Sequence, residues 1–222
     1  MIRVRMTFSK RGRACFIPHI AIPPLLTRSG TRAGLEFDLT KGFSPRPRIS
    51  LGPELSVGVP ALAEPFDVWL TGYDDDVPHR WSRCLPPGFS ITGAAMIDAP
   101  PGTEEARSIG RRKLAASSLL ALRDGDSSAL ETALGELLEG GKILEFCRPC
   151  GLPSAFFRVI SKDPARMGPG TLVRALAARG VIEGWPDIFI LREAVGLLAS
   201  SPEDGEIRVE PLVPALQERK KP

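Results

Sequence analysis

The chain is poor in the residues that most chemistry is built from. Its 222 residues include one tyrosine, two histidines and four cysteines. No window approaches the 18 or so apolar residues that a membrane span needs, which excludes a spanning helix. Four unevenly spaced cysteines do not make a secreted disulfide framework and fit reduced thiols. The start, Met1-Ile2-Arg3-Val4-Arg5, lacks the apolar core of a signal peptide, so a cytoplasmic protein is expected. There is no Gly-x-x-x-x-Gly-Lys phosphate cradle, no dinucleotide fingerprint after a strand and no Ser/His/Asp order. Cys147-Arg148-Pro149-Cys150 has the spacing of a metal or redox half-site. A full zinc site would have to recruit Cys15, Cys84, His19 or His79 from irregular positions. Gly151-Leu152-Pro153 reads as a hairpin turn rather than the helix start of a redox pair. No metal and no cofactor is expected.

Positive charge, in contrast, is concentrated. The net charge is only +3, but residues 1–50 hold ten Lys/Arg against Glu36 and Asp38, a balance of +8 that leaves −5 for the remainder. Such asymmetry suits a polyanionic partner, RNA above all; a solvated basic face is the plain alternative. The densest stretch is Lys41-Gly42-Phe43-Ser44-Pro45-Arg46-Pro47-Arg48. Its prolines fix their own φ and push Ser44 and Arg46 into extended geometry, so three cations are spaced by a stiff loop. Phe43 reads first as an anchor in the core and second as a platform for a base.

Along the chain, Ile2, Val4, Met6 and Phe8 alternate with Arg3 and Arg5, the pattern of a half-buried strand with its arginines outward. Ser9 to Arg13 reads as a basic turn with Lys10, Arg11 and Arg13 in solvent. A helix is expected after Pro23/Pro24 and ends at Gly34. A short strand follows at 35–39, then a second extended passage, 49–51 with 55–59, broken by Gly52 and Pro53, then a strand at 65–71, a helix over 76–84 and a strand over 89–97. Residues 98–112 shift to Pro, Gly and charge, as a domain boundary does. Beyond it, a strand at 113–122, a helix with Leu130, Leu134, Leu137 and Leu138, strands at 143–147 and 155–161, a helix at 170–179 and a strand at 188–198 repeat the order β-α-β-β-α-β. The fold class is therefore α+β: two tandem ferredoxin-like (split βαβ) domains with antiparallel sheets, at 1–105 and 106–200, followed by a loose tail at 201–222. One α+β domain with a helical appendix is the alternative.

The N-terminal part resembles the radical-SAM-linked family of uncharacterised proteins, DUF2344, found as separate chains or as extensions of cobalamin-binding radical SAM proteins. The residues that carry the resemblance are Arg3-Val4-Arg5, Phe8-Ser9-Lys10, Gly12, Phe16, His19 and Arg32-Ala33-Gly34-Leu35. They continue with Gly42-Phe43-Ser44-Pro45-Arg46-Pro47, Pro53 to Val59, Glu64, Asp67 and Leu70, in order over residues 2–97. The family shows Ser-His-Leu-Asp where this chain has Pro18-His19-Ile20-Ala21, so the serine and the acidic partner of the histidine are missing. The resemblance implies an accessory role beside a radical SAM/cobalamin enzyme. The chain has no Cys-x-x-x-Cys-x-x-Cys run and cannot itself hold that cluster in the usual way.

Three functional readings follow. In the first, the protein is a non-catalytic module binding RNA or another anionic substrate through Arg3, Arg5, Lys10, Arg11, Arg13, Lys41, Ser44, Arg46 and Arg48, with Phe43 or Trp69 stacking on bases. In the second, by analogy with tandem ferredoxin-like endoribonucleases, His19 is a catalytic base and Lys10 or Arg46 steadies the scissile phosphate. A purely protein-interacting subunit of the radical SAM enzyme is the third. The basic strand, the basic turn and the loop are expected to lie close together.

Overall fold

The computed structural model describes residues 1–100, 102–124, 127–200 and 206–217. Strand β1 (Ile2–Lys10) is the axis of the first half. It pairs antiparallel with β3 (Ala61–Leu70) on one side and β4 (Phe89–Met96) on the other, and β2 (Ile49–Leu51) pairs antiparallel with β3. Helices α1 (Ile22–Arg32) and α2 (Val77–Cys84) cover one face. Gly34, at φ +76°, supplies the left-handed residue that ends α1. Val4, Met6, Phe8, Phe66, Val68 and Trp81 fill the space between sheet and helices. The indole N–H of Trp81 donates to the Ser29 hydroxyl at 2.9 Å, which satisfies the one polar atom of the largest buried side chain.

The second half repeats the element order with β5 (Ala115–Leu122), α3 (Ser127–Glu139), β6 (Glu145–Cys147), β7 (Phe157–Ser161), α4 (Pro169–Ala177) and β8 (Ile188–Ser200). Here β5 pairs antiparallel with β7 and β8, and β6 with β7. Leu130, Leu134 and Leu137 of α3 and Leu172 and Leu176 of α4 form its core. The two halves join in one mostly antiparallel nine-stranded sheet. The join is the parallel contact of β3 with β8, where Ala61 faces Arg192.

Three sequence expectations change. Residues 35–39 do not form a strand; Phe37 and Leu39 make isolated bridges to Leu70 and Pro47. The stretch 55–59 is a turn, and its Leu55 and Val59 pack, with Ala61, in the core of the second half. The described part of the tail is not loose: β9 (Ile207–Pro211) pairs with β8, Val213 is buried, and Ala215 bridges to Gly93 of β4. An apolar Val-Pro-Ala-Leu run after a charged segment carries this, and composition averaged over the tail hides it. Residues 201–205 and 218–222 lie outside the described residues.

The largest correction concerns β1 itself. Its arginines Arg3 and Arg5 were expected in water, yet Arg5 is buried, as are Thr7 and Ser9 on the same strand, and Arg3 is nearly so. The segment after β4 lies across this face: Arg3 donates to the carbonyls of Ala106 and Arg107, Arg5 to that of Arg107, and Ile109 is buried. Residues 106–109 of the boundary-like stretch thus cover the back of the sheet.

Candidate functional site

Ionic side chains converge at two buried places, and a third basic element stays in solvent. The first place is Asp67 on β3, fully buried. Arg5 Nε donates to its Oδ1 at 2.8 Å and Arg3 Nε to its Oδ2 at 3.2 Å. Two guanidinium groups on one carboxylate leave an excess cation, and the carbonyls of Ala106 and Arg107 accept the remaining N–H groups. Beside them the guanidinium groups of Arg3 and Arg48 lie 5.2 and 4.5 Å from the ring centre of Trp69. Trp69 is therefore already engaged, and a base could stack on it only by displacing an arginine.

The second place is the seam between the halves. Arg192 of β8 is wholly buried; its Nε donates to Glu64 Oε1 at 2.6 Å and its Nη2 bonds Glu64 Oε2. Its remaining N–H groups reach the carbonyls of Glu54 at 3.0 Å and Pro53 at 3.1 Å. One arginine of the second half thus holds the 53–54 turn and the carboxylate of the first.

Lys10 closes the same cluster. It was expected in a solvent-exposed turn, but β1 runs on through it, pairing with Phe89 and Ala61. Its side chain is buried and donates to the Ile17 carbonyl at 2.8 Å. Burial lowers the pKa of the ammonium, with Cys15 and Glu64 opposing that and Arg192 adding to it. His19 is half-buried in the field of Glu64, Arg192, Glu54 and Lys10, and desolvation lowers its pKa. Its Nδ1 is buried without a hydrogen-bond partner. Phe16 and Ile20, its neighbours in sequence, are exposed.

The third element is the loop 41–48. Its base is pinned: Thr40 N–H donates to the Arg46 carbonyl at 2.8 Å, Arg46 N–H to Thr40 Oγ1 at 3.0 Å, and Arg48 Nη1 to Asp38 Oδ2 at 2.7 Å. Lys41, Phe43, Ser44 and Arg46 are all exposed. Phe43 is not the anchor the sequence suggested; at 110% relative exposure it touches no core at all. Pro45 and Pro47, with Gly42 at φ +137°, hold the tip away from the sheet.

The continuous basic surface is therefore not assembled. Arg3, Arg5 and Lys10 face inward. Arg11 and Arg13 are exposed but follow the C-terminal end of β1, whereas the loop sits at its N-terminal end, where Arg48 meets Met1 and Trp69. Eight residue steps at about 3.3 Å put the ends of the strand roughly 26 Å apart. Likewise His19 meets Lys10 but not Arg46. Glu64, Asp67 and Arg192 went unassigned as site residues in the sequence. A lone arginine in the apolar run Ile-Phe-Ile-Leu-Arg-Glu-Ala-Val was the available signal for the last.

Cys147 and Cys150 are both free thiols. Cys147 Sγ lies 3.4 Å from Glu206 Oε1, and burial together with that carboxylate pushes its pKa up to about 11. Such a thiol is a poor nucleophile. Among the described residues no three His, Cys, Asp or Glu side chains group as metal ligands would, and no helix is long and apolar enough to cross a membrane.

Fold and site together define an α+β protein whose two halves are joined through buried ion pairs and which holds one stiff cationic loop in solvent. Residues 3–144 match the profile of the family described as an uncharacterized protein conserved in bacteria (DUF2344), and the chain belongs to that family. The match takes in Asp67, Glu64, Lys10, His19 and the loop; Arg192 lies beyond it. No functionally curated protein matches the chain.

Proposed function

We propose that the protein is a non-catalytic accessory module that binds single-stranded RNA through the loop 41–46. The observation that carries this reading is Phe43, bare in water between the exposed cations Lys41 and Arg46 on a loop whose base is pinned. A fully solvated phenylalanine is unfavourable unless something covers it, and a base stacked on it would contribute about 1–3 kcal/mol. Stiffness lowers the ordering cost on binding. Arg11 and Arg13 form a separate contact for a longer strand. The strand orders β4-β1-β3-β2 and β8-β5-β7-β6 support reading each half as a split βαβ, ferredoxin-like unit. The resemblance to radical-SAM-linked proteins supports a radical SAM/cobalamin enzyme as the partner to which the RNA is presented.

The nuclease reading is less well supported. Lys10 is buried against a backbone carbonyl and Arg46 lies at the far end of β1, so neither stands beside His19 to meet a phosphate.

The test is fluorescence anisotropy with a labelled single-stranded RNA. Binding should weaken as salt rises from about 50 to 200 mM, by counterion release. Phe43→Ala should weaken it about tenfold without changing that slope, and the pair Lys41→Glu, Arg46→Glu should weaken it and flatten the slope. Absence of binding at low salt, or identical binding by all three proteins, would end the proposal. Recovery of a radical SAM enzyme when the protein is purified from its native cell tests the partner separately.

A further inference from the structure

A cleft lies away from all of these places. It opens in the second half, with a volume of about 1160 Å³, between the C-terminal end of α3, one side of α4, the start of β5 and the far end of β8. Six of its lining residues are Lys or Arg, and Asp163 is the one acidic residue among them. Arg166 is paired with Asp163 and Arg179 with Glu136. Lys113, Lys142 and Lys162 are exposed and have no ion pair among the described residues. Arg112 is half-buried, and burial beside Arg5 lowers its pKa, so an anion nearby would be welcome to it.

The remaining wall is apolar. Strand β8 runs on past its pairing with β5, held there by β9, and on this extension Leu197, on the face of Val195 and Leu114, is 45% exposed while Leu198 on the opposite face is 43% exposed. Met167 and Leu114 continue the same wall. A leucine left bare beside unpaired lysines describes a ligand with an apolar body and several negative charges.

We propose that this cleft binds a nucleoside polyphosphate, with the phosphates on Lys113, Lys142 and Lys162 and the base against Leu197 and Met167. The volume exceeds the roughly 300–1,000 Å³ of ordinary small-molecule sites, too much for a lone phosphate. A fatty acid would bring one charge to three unpaired lysines, and inorganic polyphosphate would leave Leu197 wet. A nucleoside triphosphate matches both walls, with three to four charges and a flat ring that thioether and leucine surfaces accommodate. The site is independent of the RNA loop.

Titration of a fluorescent N-methylanthraniloyl ATP into the full chain tests it. The intact protein should bind saturably, and the variant Lys113→Glu, Lys142→Glu, Lys162→Glu should bind at least tenfold more weakly with an unchanged circular dichroism spectrum, because all three side chains are on the surface. Phe43→Ala should bind the nucleotide as the parent does whether or not it has lost RNA, so failure of one proposal is distinguishable from failure of the other. Absence of saturable binding, or equal binding by the triple variant, would overturn the assignment. So would displacement by tripolyphosphate as effective as displacement by ATP, since the apolar wall would then have no part.

Discussion

Arg192 and Glu64 are 128 residues apart in sequence, yet they share a two-pronged ion pair with both side chains out of water. The pair lies where β3 meets β8, the contact that makes two four-stranded arrangements one sheet. A buried pair adds little over an apolar replacement but is costly to break from one side.

Removing one partner should therefore be severe. Glu64→Gln or Arg192→Met is expected to lower unfolding free energy by about 3–5 kcal/mol in urea titrations. The combination Glu64→Met with Arg192→Met should regain much of that loss. It should stop short of the parent, because the carbonyls of Pro53 and Glu54 lose their donor. Additive losses would show that the two do not act as a pair.

Asp67 should matter as much for a different reason. Asp67→Asn leaves Arg3 and Arg5 facing a neutral group under the cover formed by residues 106–109. A loss of about 3–5 kcal/mol is expected, with faster protease cleavage between residues 98 and 112. Unchanged cleavage there would mean that the cover does not depend on the cluster.

The histidine supplies a pH dependence of known sign. Burial holds the folded-state pKa of His19 below its ordinary 6.5, so the unfolded chain binds the extra proton first. Stability should fall as pH drops from about 6.5 through the folded value and then level off. Urea midpoints at several pH values should show a smaller fall for His19→Gln than for the parent. Parallel curves would place the titration elsewhere.

Thiol reactivity should separate two cysteines three residues apart. With a pKa of about 11, Cys147 is roughly one part in a thousand thiolate at pH 8. Cys150 is exposed. Peptide mapping after brief iodoacetamide treatment should find Cys150 modified at least tenfold faster than Cys147.

The C-terminal strand rests on a close approach. A Cβ on Gly196 would stand 1.7 Å from the Glu210 carbonyl oxygen, so Gly196→Ala should push β9 off β8. Hydrogen exchange of residues 207–211 should quicken markedly, while that of β1 stays protected.

Much of this was written in local pattern. Period-two and helical spacings placed nearly every strand and helix, and proline and glycine positions marked where α1, α2 and α3 end. The loop 41–48 declared itself by its prolines and cations, and its stiffness needed no tertiary contact. The inward fate of Arg3, Arg5 and Lys10 was not legible, because alternation shows which side chains share a face and not whether that face is later covered. Residues 106–109 decided that for Arg3 and Arg5 by lying across the sheet, with Asp67 and backbone carbonyls as partners, and Lys10 was enclosed with the Ile17 carbonyl and Glu64 beside it. The same holds for Phe43, whose type suggested a core while the position of its loop, beyond the last bridge of Leu39 with Pro47, left it in water. Sequence determined the elements and the charges; only the tertiary packing, within the first half and across the seam, decided which charges meet solvent, since a charge stays buried only where the fold supplies its partners.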